Sequence, residues 1–287
     1  MSIYQVKNMN QNPLQKYFRQ PVIHIALPSG GQFYPTGSLD LPPTGEVPIY
    51  PMTAVDELRA RTPDALFNGS ALADIIASCV PNIKNAWNLP VIDLNALLAA
   101  IRLASYGYDM EIGTNCPKCG FGEVIAIDLR SVLTTIGKGD YDTAFVQGDL
   151  SFYFKPISYQ QLNDINRTMF EDQKLIEMAN GDNNLSDEDR RGYLGQAYRH
   201  ITDLTFRSIA STVSAIKSPD ALVTDEDQIY DFLTNCPKTL YQAVKDHTIS
   251  LRETSDLKPI GVTCNGCQHQ YEQEFTLDIS NFFETAS

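Results

Sequence analysis

Two short stretches confine this chain to a small set of folds. "TNCPKCGFGEVIAIDL" runs from Thr114 to Leu129 and "TCNGCQHQYEQEFTLDI" from Thr263 to Ile279. Each carries a Cys-x-x-Cys, a turn, and an alternating run that ends in Asp and an aliphatic residue. Four thiols in two such pairs are the donor set of a structural zinc ion. Each pair sits on a tight turn where two sulfurs converge, and two turns complete a tetrahedron. The sequence therefore assigns one Zn2+ to Cys116, Cys119, Cys264 and Cys267, with Gly120 and Gly266 fitting the turns. Behind the first hook Val124, Ala126 and Asp128 alternate with Ile125, Ile127 and Leu129. Behind the second, Tyr271, Gln273 and Phe275 alternate with Glu272, Glu274 and Thr276. Similar halves around one ion make a zinc ribbon. Residues 120–263 intervene, where a compact ribbon has roughly 15–20. Such an insertion is harmless if its ends leave from neighbouring strands, because closing a longer loop costs only about 0.6 kcal/mol per doubling of length.

Other readings of these thiols are weaker. A redox Cys-x-x-Cys follows a strand and opens a helix, whereas both pairs here open β hairpins. His269 stands close in sequence, but four cysteines already fill the shell. Cys79 lies on a helical apolar stripe and reads as a core thiol; Cys236, before Pro237, reads as a free structural one. A closed four-thiolate shell leaves no open position for water, so the ion serves as a staple and not as a Lewis acid.

The chain has 287 residues, 43% hydrophobic and 20% charged, enough for a sizeable core. No apolar run of eighteen or more exists to span a membrane. The start, "MSIYQVKNMNQNPLQKYFRQPV", lacks an apolar signal region and reads as a polar arm. The net charge is −13, with Lys and Arg scattered. A nucleic-acid binder needs clustered cations, so no nucleic-acid partner is expected.

The expected fold class is α+β, mainly helical, with the two knuckles of the ribbon separated by a long helical insertion. Residues 1–20 form the arm and 21–55 a β and Pro-rich segment with strands at Val22–Leu27 and around Val47–Tyr50. Residues 56–108 are helical, with starts at Thr53 ahead of Asp56 and Glu57, at Thr62-Pro63-Asp64 and near Ser70. Asp93 reads as the N-cap of the clearest helix, lined by Leu94, Leu97, Leu98 and Ile101 and stopped at Gly107. Residues 109–156 hold the first half of the ribbon and a strand bearing Phe152 and Phe154. Residues 157–250 are the helical insertion. Ser158 with Gln161 caps Tyr159 to about Ala179, and Ser186 with Asp189 opens a helix reaching about Ile216. Ser218-Pro219-Asp220 and Thr224 to Asp227 repeat the helix-start signature, and a last helix covers about Thr239–His247. Residues 251–287 complete the ribbon. The acids Asp187, Glu188 and Asp189 fit a helix first turn better than a calcium loop.

Catalytic signatures do not emerge. His24, His200, His247 and His269 lie in no metalloprotease or nucleophile motif, and "IGKGD" lacks the phosphate-loop frame. The chain is thus expected not to be an enzyme and to have no small-molecule substrate.

The run "AVDELRARTPDALFNGSALADIIASCV", then "LPVIDLNALLAAIRLASYG" and "CPKCG", resembles the T4-like phage baseplate hub proteins. Its most telling piece is Leu89-Pro90-x-x-Asp93-x-x-x-Leu97 leading to Ile101-Arg102 and a Gly-ended helix. The resemblance implies a non-enzymatic part of a contractile-tail baseplate, located in the virion and, during assembly, in the host cytoplasm. Its partners would be other baseplate and tail proteins, met through the arm, Met1 to Gln20, and the segment Gln32 to Met52. Tyr4, Tyr17, Phe18, Phe33, Tyr34 and Tyr50 read there as exposed anchors. Alternatives are an assembly chaperone absent from the particle, a zinc-ribbon transcription protein, and a hydrolase whose acids meet only in space.

Overall fold

The computed structural model describes residues 12–60, 69–182 and 185–277. The helix start at Thr62 and the first eleven residues of the arm lie outside them. Strands β1 (Ile23–Ala26) and β2 (Glu46–Ile49) form an antiparallel pair, Ile23 opposite Ile49 and Ala26 opposite Glu46. Their apolar face packs on α2 (Ser70–Cys79) and α3 (Val91–Tyr106). Helix α1 (Ala54–Ala60) starts as expected: Thr53 Oγ1 accepts from Asp56 N, and the Asp56 carboxylate accepts from Thr53 N at 2.7 Å.

Helix α3 is more deeply enclosed than one apolar stripe implies. Ala96, Ala99 and Ala100 are buried along with Leu97, Leu98 and Ile101, the pattern of a helix with protein on several sides. Asp93 is not its N-cap; Pro90 holds that position and Asp93 lies inside the first turn. The carboxylate is spent on tertiary contacts, accepting from Ser29 N at 2.7 Å, Ser29 Oγ at 2.6 Å and Tyr34 OH at 2.9 Å.

Beyond Gly107 the chain forms the hairpin β3 (Asp109–Asn115) and β4 (Gly122–Asp128), then α4 (Leu129–Thr135), capped by Asp128. The region after α4 is less helical than the sequence implied. Four strands, β5 (Phe145–Gln147), β6 (Leu150–Phe154), β7 (Val213–Lys217) and β8 (Leu222–Val223), form one antiparallel sheet in that order. Strand β7 falls where the helix from Ser186 was expected to continue. That helix, α6 (Asp187–Thr212), stops at Thr212, and Val213, Ala215 and Ile216 are buried against β6 and the helices behind it. Ser218 is likewise not a helix start: its Oγ accepts from Ala221 N in the turn between β7 and β8.

Helix α5 (Tyr159–Gly181) carries the expected capping box, Ser158 N donating to Gln161 Oε1 at 2.9 Å and Gln161 N to Ser158 Oγ. It pairs with α6. Helices α7 (Glu226–Asn235), capped by Asp225, and α8 (Lys238–Glu253) close over the sheet. A second hairpin, β9 (Ile260–Thr263) and β10 (Gln270–Gln273), comes after α8.

Two apolar clusters result. One centres on Val47, Ile49, Ile76, Leu97, Ile101 and Leu129; the other on Phe152, Val213, Ile216, Ile229, Leu233 and Val244. Between them, Gly137 N donates to Thr254 O at 2.8 Å, so the chain enters and leaves the second cluster at neighbouring points.

Candidate metal centre

The Cys-x-x-Cys pairs sit in the turns of two hairpins, β3–β4 and β9–β10, whose backbones repeat each other. Cys116 N donates to Phe121 O and Gly120 N to Cys116 O, each at 2.9 Å. Cys264 N donates to His269 O and Gln268 N to Cys264 O, also at 2.9 Å. Residue four after the first cysteine needs a left-handed backbone to close this loop. Gly120 supplies it with φ 73°, and Gln268 with φ 58°. Gly266 fits its turn for a different reason. Gly266 is required for room, since a Cβ there would lie 3.0 Å from Phe121 Cγ, and its N–H points at Cys264 Sγ, 3.3 Å away.

All four sulfurs lie within 4.8 Å of one another. Cys116 Sγ is 3.8 Å from Cys267 Sγ, and Cys119 Sγ is 3.7 Å from Cys264 Sγ. A tetrahedron of sulfurs with metal–sulfur bonds of about 2.3 Å has edges of about 3.8 Å, so the spacing fits a tetrahedral ion. Cys116 and Cys264 are buried, Cys267 half-buried and Cys119 exposed. Burial pushes the Cys116 thiol up, but N–H groups of Cys119 and Lys118 and the neighbouring thiols outweigh it and bring it to about 7. For Cys119 the Phe121 N–H pulls down, yet the thiols of Cys267, Cys116 and Cys264, with burial, drive it up to about 12. Sulfurs packed this closely resist accumulating negative charge, which a divalent cation among them would neutralise.

The hairpins remain two separate two-stranded sheets joined by side chains. Thr114, buried two residues before Cys116, donates to Gln273 Oε1 at 2.6 Å and lies 2.9 Å from Tyr271 OH. Asn265 Nδ2 donates to Glu123 Oε2 at 2.5 Å. Neither pairing was legible in advance, because polar partners far apart in sequence carry no local signal. His269 stays outside the thiol cluster, its ring beside that of Tyr271. Cys79 is fully buried, and burial lifts its thiol to about 12, which suits a core residue. Cys236 is half-buried and apart from the cluster.

The expected contact aromatics divide. Leu14, Tyr17 and Phe18 are well exposed. Phe33, Tyr34 and Tyr50 instead serve their own chain: Phe33 meets the Tyr141 ring edge-on at 5.4 Å, Tyr34 donates to Asp93, and Tyr50 lies beneath Arg19. Arg19 anchors the arm by donating to Pro51 O, to Ser78 O and Oγ at 2.8 Å, and to Asp56.

Among the described residues no helix is long and apolar enough to cross a membrane. A family model described as "T4 bacteriophage base plate protein" matches residues 21–284. No curated protein and no solved structure matches the chain.

Proposed function

Because the chain belongs to the T4 bacteriophage base plate protein family, we propose that it is a non-enzymatic structural subunit of the hub or wedge region, binding neighbouring tail proteins during assembly. The single observation that carries the metal part of this reading is the convergence of four thiols at tetrahedral spacing. Cys116, Cys119, Cys264 and Cys267 hold one Zn2+, which cross-links the two hairpins. The chain between the two hairpins leaves near Gly137 and returns near Thr254, where Gly137 N donates to Thr254 O. A shell closed by four thiolates offers no substrate position, which favours a staple over a catalyst. The acidic balance, with no basic stripe, favours protein partners over duplex DNA.

Elemental analysis of purified protein should return one zinc per chain; iron in its place, or less than half an equivalent, would sink the assignment. Cys264→Ser should lose the metal and lower the melting temperature sharply, because metal affinity here is folding energy. Unchanged zinc and stability would refute the staple.

Partner contact is assigned to the arm ahead of Arg19, where Leu14, Tyr17 and Phe18 are exposed. Removing residues 1–18 keeps the Arg19 anchor. The shortened chain should fold, retain zinc and fail to enter tail particles assembled in infected cells. Normal incorporation would overturn this contact assignment.

A further inference from the structure

A cleft of about 290 Å³ opens beside the second apolar cluster, between α3, α5, α6 and α8. Val91, Phe154, Leu162, Met169, Ile209 and Leu251 supply its apolar wall. Lys155 and Arg252 also line it, and no carboxylate does. In a chain with 35 acidic and 22 basic residues, a recess bearing only cations is against the prevailing charge. Arg252 is largely exposed and only loosely paired, 3.6 Å from Asp256. Lys155 is half-buried as a residue, and its ammonium makes no hydrogen bond or ion pair among the described residues.

The walls are fixed from several sides. Lys155 N donates to Thr212 O at 2.8 Å, and Val91 N donates to Ile157 O at 3.0 Å, so the segment carrying Lys155 is tied to α6 and to the start of α3. Thr212 Oγ1 and Thr248 Oγ1 stand 3.5 Å apart, linking α6 to α8. A preformed apolar recess with a few convergent polar groups is the usual form of a ligand site, and this one is near the small end of that range.

We propose that the cleft binds a small amphiphilic carboxylate, its hydrocarbon body against the apolar wall and its anion on Lys155. The site is separate from the thiol cluster and does not depend on the baseplate reading.

Decanoate below its micelle concentration, titrated into the full-length protein by calorimetry, tests it. One-to-one binding with a rise in melting temperature is expected, and decanol, decylamine and acetate should each bind far more weakly. Lys155→Gln and Lys155→Glu should each weaken decanoate about tenfold or more, the loss of one charge-assisted hydrogen bond. Ile249→Trp, placed on an exposed part of the lining, should block the site without altering zinc content. No decanoate binding by the native chain, equal affinity for decanol, or indifference to both Lys155 substitutions would overturn the proposal.

Discussion

Gln268 occupies a backbone conformation that L side chains reach at a cost of roughly 1–2 kcal/mol, while glycine reaches it freely. Gln268→Gly should therefore stabilise the second knuckle by about 1 kcal/mol after glycine's larger unfolded-state entropy is counted. A lowered denaturant midpoint with zinc bound would contradict this. Asp93 bears a different kind of strain. Burial raises its carboxyl from 3.8 to about 6, against the hydrogen bonds from Ser29 and Tyr34 that favour the anion. The folded state then binds the proton more tightly than the unfolded chain. The group's contribution to stability is full below about pH 4 and is lost as pH rises through about 6, a change of about 3 kcal/mol. The test compares the native chain with Asp93→Asn between pH 4 and 7, since other titrations cancel. The native chain should lose ground to the variant as pH rises, and a constant difference would disprove it. From sequence Asp93 looked like a cap because Asp before an apolar run is a common helix start. Its buried partners, Ser29 and Tyr34, are some sixty residues away, and nothing local reveals them.

Elements whose ends are fixed by their own side chains were the readable ones. The Ser158–Gln161 box and the Ser186 cap close within three residues, so short-range chemistry specifies them. The α6–β7 junction was not readable, because Ile209, Val213 and Ile216 keep a helical spacing past the point where the helix stops. Only pairing with β6 decides between helix and strand there. Phe152, fully buried on β6, faces Ile216 across that pair and meets Phe232 of α7 at 6.2 Å between ring centroids. Phe152→Ala should cost about 3–5 kcal/mol. Because Phe152 lies in the second cluster and the thiols do not, zinc content should survive the loss. Urea unfolding with metal release followed in parallel checks both halves. A variant that sheds its zinc together with its second cluster would show that the two are not separable.

At the scale of the whole molecule, the sequence by itself determined which thiols meet. Cysteine spacing is a local property, and two hooks of matching pattern identify Cys116, Cys119, Cys264 and Cys267 as partners. It also marked the apolar residues of α2 and α3, because a 3.6-residue period sustained over several turns is a local signal. Tertiary structure alone decided how the intervening chain is laid out: a four-stranded sheet whose strands β6 and β7 are separated by two long helices, and a return at Thr254 beside Gly137. It also decided which aromatics are free, engaging Phe33, Tyr34 and Tyr50 with their own chain while leaving Tyr17 and Phe18 in solvent. The physical reason is the same in each case. Thiol pairs, caps and helical stripes are set by interactions within a few residues, whereas strand partners, buried carboxylate donors and ring burial depend on contacts between segments that meet only when the chain has folded.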